Sequence, residues 1–213
     1  GLLGPSPPAA VSAAQRPDEV AAARSMTLDL LGRPVTFRLG YEGSVEKRGN
    51  FDLDRTRQRD RDVHDHELKL GVHVGLSDRL SAYVQAVGVA ERRVNRRDFG
   101  VQSAQSWERG QTWLLAEGLG GRPLSAQAGR VALIERRSWW WDEDLDALRV
   151  IYAPQGWRLE TGLAREMGRV STAQKGIDPK ARGVTRWFGH ASLNWAPRHR
   201  VDAFGLVARD GSA

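Results

Sequence analysis

The chain is predicted to be all-β, an antiparallel transmembrane β-barrel of which about nine strands are legible. Three observations support this. From residue 33 onward apolar residues recur with a period of 2 rather than 3.6. The connections alternate between short and long. The large aromatic residues fall mostly on the apolar parity of their strands, near strand ends, where an interfacial girdle requires them.

Taken in order, residues 1–25 are small and proline-rich (Pro5, Pro7, Pro8). They read as the remnant of a signal peptide, with Val11-Ser12-Ala13 as a small-residue cleavage site, or as a flexible linker. Residues 26–213 are assigned to the barrel. Val35, Phe37, Leu39 and Tyr41 alternate with Thr36, Arg38, Gly40 and Glu42. Leu68, Leu70, Val72, Val74 and Leu76 alternate with Glu67, Lys69, Gly71 and His73. Leu80, Ala82, Val84 and Ala86 alternate with Ser81, Tyr83 and Gln85. Weaker alternation covers 110–118 and 123–130, and Leu148, Val150 and Tyr152 set the next strand. Trp157, Leu159, Thr161 and Leu163 oppose Arg158, Glu160, Gly162 and Ala164. Trp187, Gly189, Ala191, Leu193 and Trp195 oppose Arg186, Phe188, His190, Ser192 and Asn194, and a last strand starts near Arg200.

Each such strand has roughly the 9–11 residues of a tilted membrane crossing. Leu76–Arg79, Leu119–Pro123, Ala153–Gly156 and Pro197–His199 are expected as tight turns. Gly43–Arg61, Glu91–Arg109, Val131–Asp144 and Met167–Thr185 are expected as long polar loops. Short turns on one side and long loops on the other are the layout of an outer-membrane barrel. Tyr152, Trp157, Trp187 and Trp195 share the apolar parity; Trp113, in step with Gln111 and Glu117, breaks it.

Composition narrows the classes further. Cysteine is absent, which excludes disulfide scaffolds, zinc–thiolate clusters and thiol catalysis. No apolar run reaches the roughly 20 residues of a membrane helix. The net charge of +6 comes from 32 basic and 26 acidic residues interleaved along the whole chain. Without a basic helical stripe or a nucleic-acid motif, an acidic partner other than nucleic acid is expected.

The polar parity should carry the function. Arg38, Lys69, His73, Arg149, Arg158, Arg165 and Arg186 are assigned to it, with Glu42, Glu67 and Glu160 among them. In a filled soluble barrel each such charge would need a partner or cost several kcal/mol. In a water-filled lumen the cost falls, and the same residues set selectivity. The plainer alternative is that they pair with Glu and Asp across strands and keep the lumen wet.

Neither metal, cofactor nor catalytic site is expected. The acidic run Asp142–Asp146 lacks the spacing and central glycine of a calcium loop and is expected to cap its loop against Arg136 and Arg137. His64, Asp65, His66 and Glu67 read as solvated rather than as metal ligands. His190 and Ser192 share one inner face with no orienting acid evident in the sequence. About nine strands is an odd number and the C-terminus does not read as a closing strand, so the chain is expected to be the N-terminal half of a larger barrel.

Two segments resemble the alginate export family of outer-membrane porins. One is Leu28-Asp29-Leu30-Leu31-Gly32-Arg33-Pro34-Val35. The other runs from Gly129-Arg130 through Arg136-Arg137-Ser138-Trp139-Trp140-Trp141-Asp142-Glu143-Asp144-Leu145-Asp146-Ala147-Leu148-Arg149. The second, with three consecutive tryptophans and four carboxylates in five residues, is the more specific. The resemblance covers about residues 26–213 and implies an 18-stranded barrel in the bacterial outer membrane. It also implies an arginine-rich constriction that exports an anionic polysaccharide. Arg130 and Arg149 carry over from within the motif; Arg38, Lys69 and Glu160 carry over by strand position. Parity does not place Arg130 cleanly inward, so it needs a bulge or a place in the loop above. The implied partners are the polymer, outer-membrane lipid and periplasmic polymer-delivery proteins. The alternative function is a general anion-selective or small-molecule porin.

Overall fold

A computed structural model describes residues 24–49, 61–95, 100–134, 141–196 and 199–211. These residues form one antiparallel sheet of ten strands in which each strand pairs with the next in sequence. The strands are β1 (Arg24–Leu30), β2 (Arg33–Arg48), β3 (Arg61–Ser77), β4 (Leu80–Asn95), β5 (Gly100–Ala116), β6 (Leu124–Ile134), β7 (Asp142–Tyr152), β8 (Trp157–Arg165), β9 (Val184–Ala196) and β10 (His199–Asp210). The sheet is a continuous meander, with β1 and β10 as its two edges, and it is not closed.

The period of 2 resolves into two physically distinct faces. One face exposes Phe37, Leu39, Tyr41, Leu70, Leu76, Val84, Trp107, Leu114, Leu148, Trp157, Leu163, Trp187, Leu193, Trp195 and Val207. On the opposite face side chains become buried: Tyr83, Val87, Gln111, Trp113, Leu115, Gln127, Arg149, Ala164, Phe188 and Ser192. We call these the apolar and inner faces. This inverts the usual arrangement of a globular sheet, where the apolar face is the covered one.

Two differences from the sequence reading have clear causes. There are ten strands, because β1 precedes the first expected one. It turns through Leu31 (φ 55°) and Gly32 (φ 72°), a two-residue hairpin with both central residues left-handed. Strands β2 to β5 run 16 or 17 residues, so much of Gly43–Arg61 and Glu91–Arg109 is strand rather than loop. Gly43 to Arg48 pairs with His66 to Arg61, which in turn pairs with Ala90 to Asn95. Both faces of these extensions carry polar residues, so no hydrophobic alternation marks them. The tight turns at 77–80, 117–123 and 153–156 fall as expected. Residues 197–198, 135–140 and 1–23 lie outside the described residues, and with them Arg136, Arg137, Trp139 and Trp140.

The sheet is interrupted beside β5. A bulge sets Gly110 and Gln111 together opposite Gln85. Beyond it β6 pairs with β5 only from Thr112↔Arg130 to Ala116↔Ala126, while it pairs with β7 along all of Leu124–Ile134. The upper part of the β6–β7 hairpin therefore leaves the sheet. Gly129 (φ 127°) sits at the point of departure, where a Cβ would run into the carbonyl oxygen of Thr112. The segment after β8 fills the gap: Arg109 N–H donates to Val170 O (2.7 Å) and Thr172 N–H to Trp107 O (2.9 Å).

The hairpin buries itself over the inner face. Val131, Leu133, Trp141 and Leu145 join Phe188 of β9 in one cluster, with Phe204 and Leu206 of β10 packed against it. Trp141 meets Phe188 and Phe204 edge-on, at centroid distances of 5.2 and 5.7 Å. Of the run expected as a polar loop, Val131–Asp144, residues 131–134 and 142–144 are strand, and 135–140 lie outside the described residues.

Candidate functional site: a polar ladder on the inner face

Register places successive inner-face residues of β6 to β10 side by side. Gln127 faces Arg149; Ile151 faces Glu160, which faces His190; Arg158 faces Ser192, which faces Asp202. Hydrogen bonds join them into a ladder. Arg149 donates from Nε to Gln127 Oε1 (2.6 Å) and from Nη1 to Glu160 Oε1 (2.9 Å). The second oxygen of Glu160 accepts from Arg158 Nη2 at 2.8 Å. One carboxylate thus lies between two guanidinium groups, in charge-assisted bonds of the stronger kind. At the sheet edge Asp202 Oδ1 lies 3.0 Å from His190 Nε2 and 2.7 Å from Arg200 Nη2.

The same face of β2 to β5 is more aromatic. Trp113, 2 % exposed, packs against Tyr83 (5.5 Å) and His73 (6.0 Å). The Arg38 guanidinium lies 5.7 Å from the centre of the Tyr83 ring. Trp113 therefore breaks the outward pattern because it lines the inner face. Buried donors of the inner face that have no acceptor among the described residues include Trp113 Nε1, Gln127 Nε2, Arg149 Nη2 and Arg186 Nη1. Buried donors normally find partners, so these sealed N–H groups are exceptions within the packed inner face.

Above the ladder, the inward hairpin is held from behind by ion pairs. Arg130, on the side of the hairpin away from Phe188, donates from Nη1 to Glu166 Oε1 at 3.0 Å. Arg109 Nη2 reaches Asp146 at 2.8 Å and Glu166 at 3.5 Å. Met167 N–H also donates to Asp146, at 2.9 Å. Glu166 lies past the end of β8. Its burial pushes its carboxyl above the usual glutamate range and nearby Asp146 adds to this, against the opposing pull of Arg130 and Arg109.

The expected pore residues separate on this geometry. Arg149, Arg158 and Glu160 meet in one cluster. Arg38 and Lys69 share the inner face but stand on β2 and β3; Lys69 pairs with Glu67 at 2.9 Å. Arg186 is inward and reaches Glu143 at 3.3 Å. Arg165 departs from the expectation: it shares the parity of Trp157 and Leu163 and is exposed on the apolar face, because Arg158, Glu160, Gly162 and Ala164 fix the inner parity of β8. Arg130 is sealed against Glu166 and does not line the ladder; the departure at Gly129 puts it on the opposite side from Val131.

The sequence reading missed Gln127, Asp202, Glu166 and Arg109. Asp202 also corrects the reading of His190, which does have an orienting carboxylate. Among the described residues, though, Ser192 makes no hydrogen bond to His190. The acidic run Asp142–Asp146 begins β7, and its Glu143 and Asp146 bind Arg186 and Arg109. Its expected partners Arg136 and Arg137 lie outside the described residues. His64 and His66 project from the apolar-face side of β3, with His66 Nδ1 2.7 Å from the Tyr41 hydroxyl. No cluster of three or more metal-ligating side chains occurs among the described residues. No protein-family model and no curated protein matches the chain.

Proposed function

We propose that this sheet is part of the wall of an outer-membrane β-barrel whose lumen passes an anionic polysaccharide, an alginate-like polyuronate. The observation that carries the reading is the inverted sheet: large apolar and aromatic side chains are exposed on one face, while charged groups are gathered on the other. Between the Tyr41–Trp107 row and the Leu76–Leu80 turn, β3 advances eight residues from Leu68 to Leu76. At about 3.3 Å per residue that is about 26 Å of strand, of the order of the apolar band of a barrel. Trp157 and Trp195 mark the short-turn end of that band and Trp107 and Trp187 the other.

In the lumen, Arg158 would offer a planar cationic fork to the carboxylates of an extended polymer, with Arg149 buried behind Glu160. Glu160 competes for the same fork, so each contact stays shallow enough to release the chain. The β6–β7 hairpin narrows the passage beside it. The resemblance of Gly129–Arg149 to the alginate export family supports the same substrate class, in a barrel of 18 strands. The predicted behaviour in a planar bilayer is anion selectivity, with current blocked by polyuronate and not by a neutral polysaccharide of equal length. Arg158→Gln should weaken that block about tenfold, the effect of losing one charge-assisted bond. Cation selectivity would refute the reading.

A second reading, a general porin for small anions, is favoured by the engagement of both arginines by Glu160. It predicts the same selectivity without polymer block.

A further inference from the structure

The apolar face changes character just above its aromatic row. Along that row Tyr41 pairs with Leu68, Leu68 with Gly88 and Gly88 with Trp107. The Trp107 ring lies over Gly88, where a Cβ would be 3.3 Å away. The next same-face positions are His66, Ala90 and Gln105, and after them His64, Arg92 and Ser103. These six residues line a shallow cleft of about 220 Å³, with Glu91 at its margin.

We propose that this cleft binds the phosphate of a phosphorylated lipid headgroup. The proposal rests on the membrane reading, which sets the Tyr41–Trp107 row at the bilayer interface and the cleft at headgroup depth. Its chemistry suits a phosphate. Arg92 is a permanent cation, His64 and His66 can each donate a ring N–H, and Ser103 and Gln105 add neutral donors. His66 is held by its Nδ1 contact with the Tyr41 hydroxyl, which leaves Nε2 for a ligand. Glu91 at the margin is ion-paired with Arg93 and so does not cancel the charge of Arg92. The apolar side chains below the row would accept the acyl chains of the same molecule, so a lipid satisfies both halves of the surface where a free anion satisfies one.

Electron spin resonance with spin-labelled lipids tests this on the full chain reconstituted into phosphatidylcholine vesicles. A motionally restricted phosphatidylcholine component reports the membrane reading; preference for spin-labelled phosphatidic acid over phosphatidylcholine reports the cleft. The expected preference is about fivefold for each engaged cation. It should fall by about that factor in Arg92→Gln and further when His64→Ala removes a ring donor, with the phosphatidylcholine component unchanged. It should also survive inorganic phosphate at about tenfold excess over the lipid, because only the lipid gains from chain contact. Restricted lipid without that preference, or preference unchanged in both variants, overturns the cleft and leaves the membrane reading standing. Preference abolished by inorganic phosphate reassigns the cleft to soluble anions. No restricted lipid of either kind removes the membrane reading itself.

Discussion

At the scale of single residues, Gly129 has the most demanding position. Its φ of 127° and the Thr112 carbonyl beside its Cα leave no room for a side chain. Gly129→Ala should therefore cost about 3 kcal/mol or more, as left-handed strain and a backbone clash combine. The check is the denaturant midpoint of the refolded protein. Glu166 gives a prediction with a defined sign. Its raised pKa means that the folded chain holds this proton more tightly than the unfolded chain does. The associated stabilisation is fully present below about pH 4 and is lost as pH rises through the raised value. Protection of the Arg109 and Thr172 amides, which tie the 170–172 segment to β5, should fall over that window, and Glu166→Gln should flatten the change. Residues of this kind were poorly legible in the sequence. Arg149, Arg158 and Glu160 could be assigned to one face by parity alone, but Glu166 and Arg109 meet only because a strand leaves the sheet, which no period records. Arg165 was misassigned although the parity of Gly162 and Ala164 already excluded it from the inner face.

At the scale of elements, the β6–β7 hairpin is the part least like a plain antiparallel meander. Its apolar side chains seat on Phe188 and Phe204, and its reverse side is held by Arg130 and Asp146. Removing the main packing residue should free it. Trp141→Ala is predicted to cost the hairpin about 3–5 kcal/mol of local packing and to raise single-channel conductance by widening the passage. Unchanged conductance in a folded variant would show that the hairpin does not narrow the path. The tryptophan and carboxylate motif marked this region as unusual without showing its form, because a loop and an inward hairpin share the same polar composition. The short strand β1 escaped detection for a different reason. Leu31-Gly32 is not one of the usual hairpin dipeptides, and seven residues hold too few alternations to stand out. Where one face is apolar over many residues, as in β3 and β9, the expected parity and the observed faces coincide.

At the scale of the molecule, one fact organises the rest: the sheet exposes its hydrophobic side chains and gathers its charged ones. Exposed leucines and tryptophans along most strands are costly in water, whereas contact with acyl chains removes that cost. On the reading proposed, a wet lumen would favour the inner charges, and the hairpin and ladder would govern what passes. The chain contains no cysteine, so single cysteines can be introduced without background. The most direct test is a nitroxide scan along β3, from Glu67 to Leu76, in the membrane-reconstituted protein. Gly71 is omitted because the Tyr83 hydroxyl fills the space a side chain would need. Labels at Leu68, Leu70, Val72, Val74 and Leu76 should be relaxed by oxygen dissolved in lipid, and those at Glu67, Lys69 and His73 by an aqueous nickel chelate. Alternation with a period of 2 is the predicted result. Equal access of the aqueous reagent to both sets would contradict it and leave the sheet with no lipid-facing side.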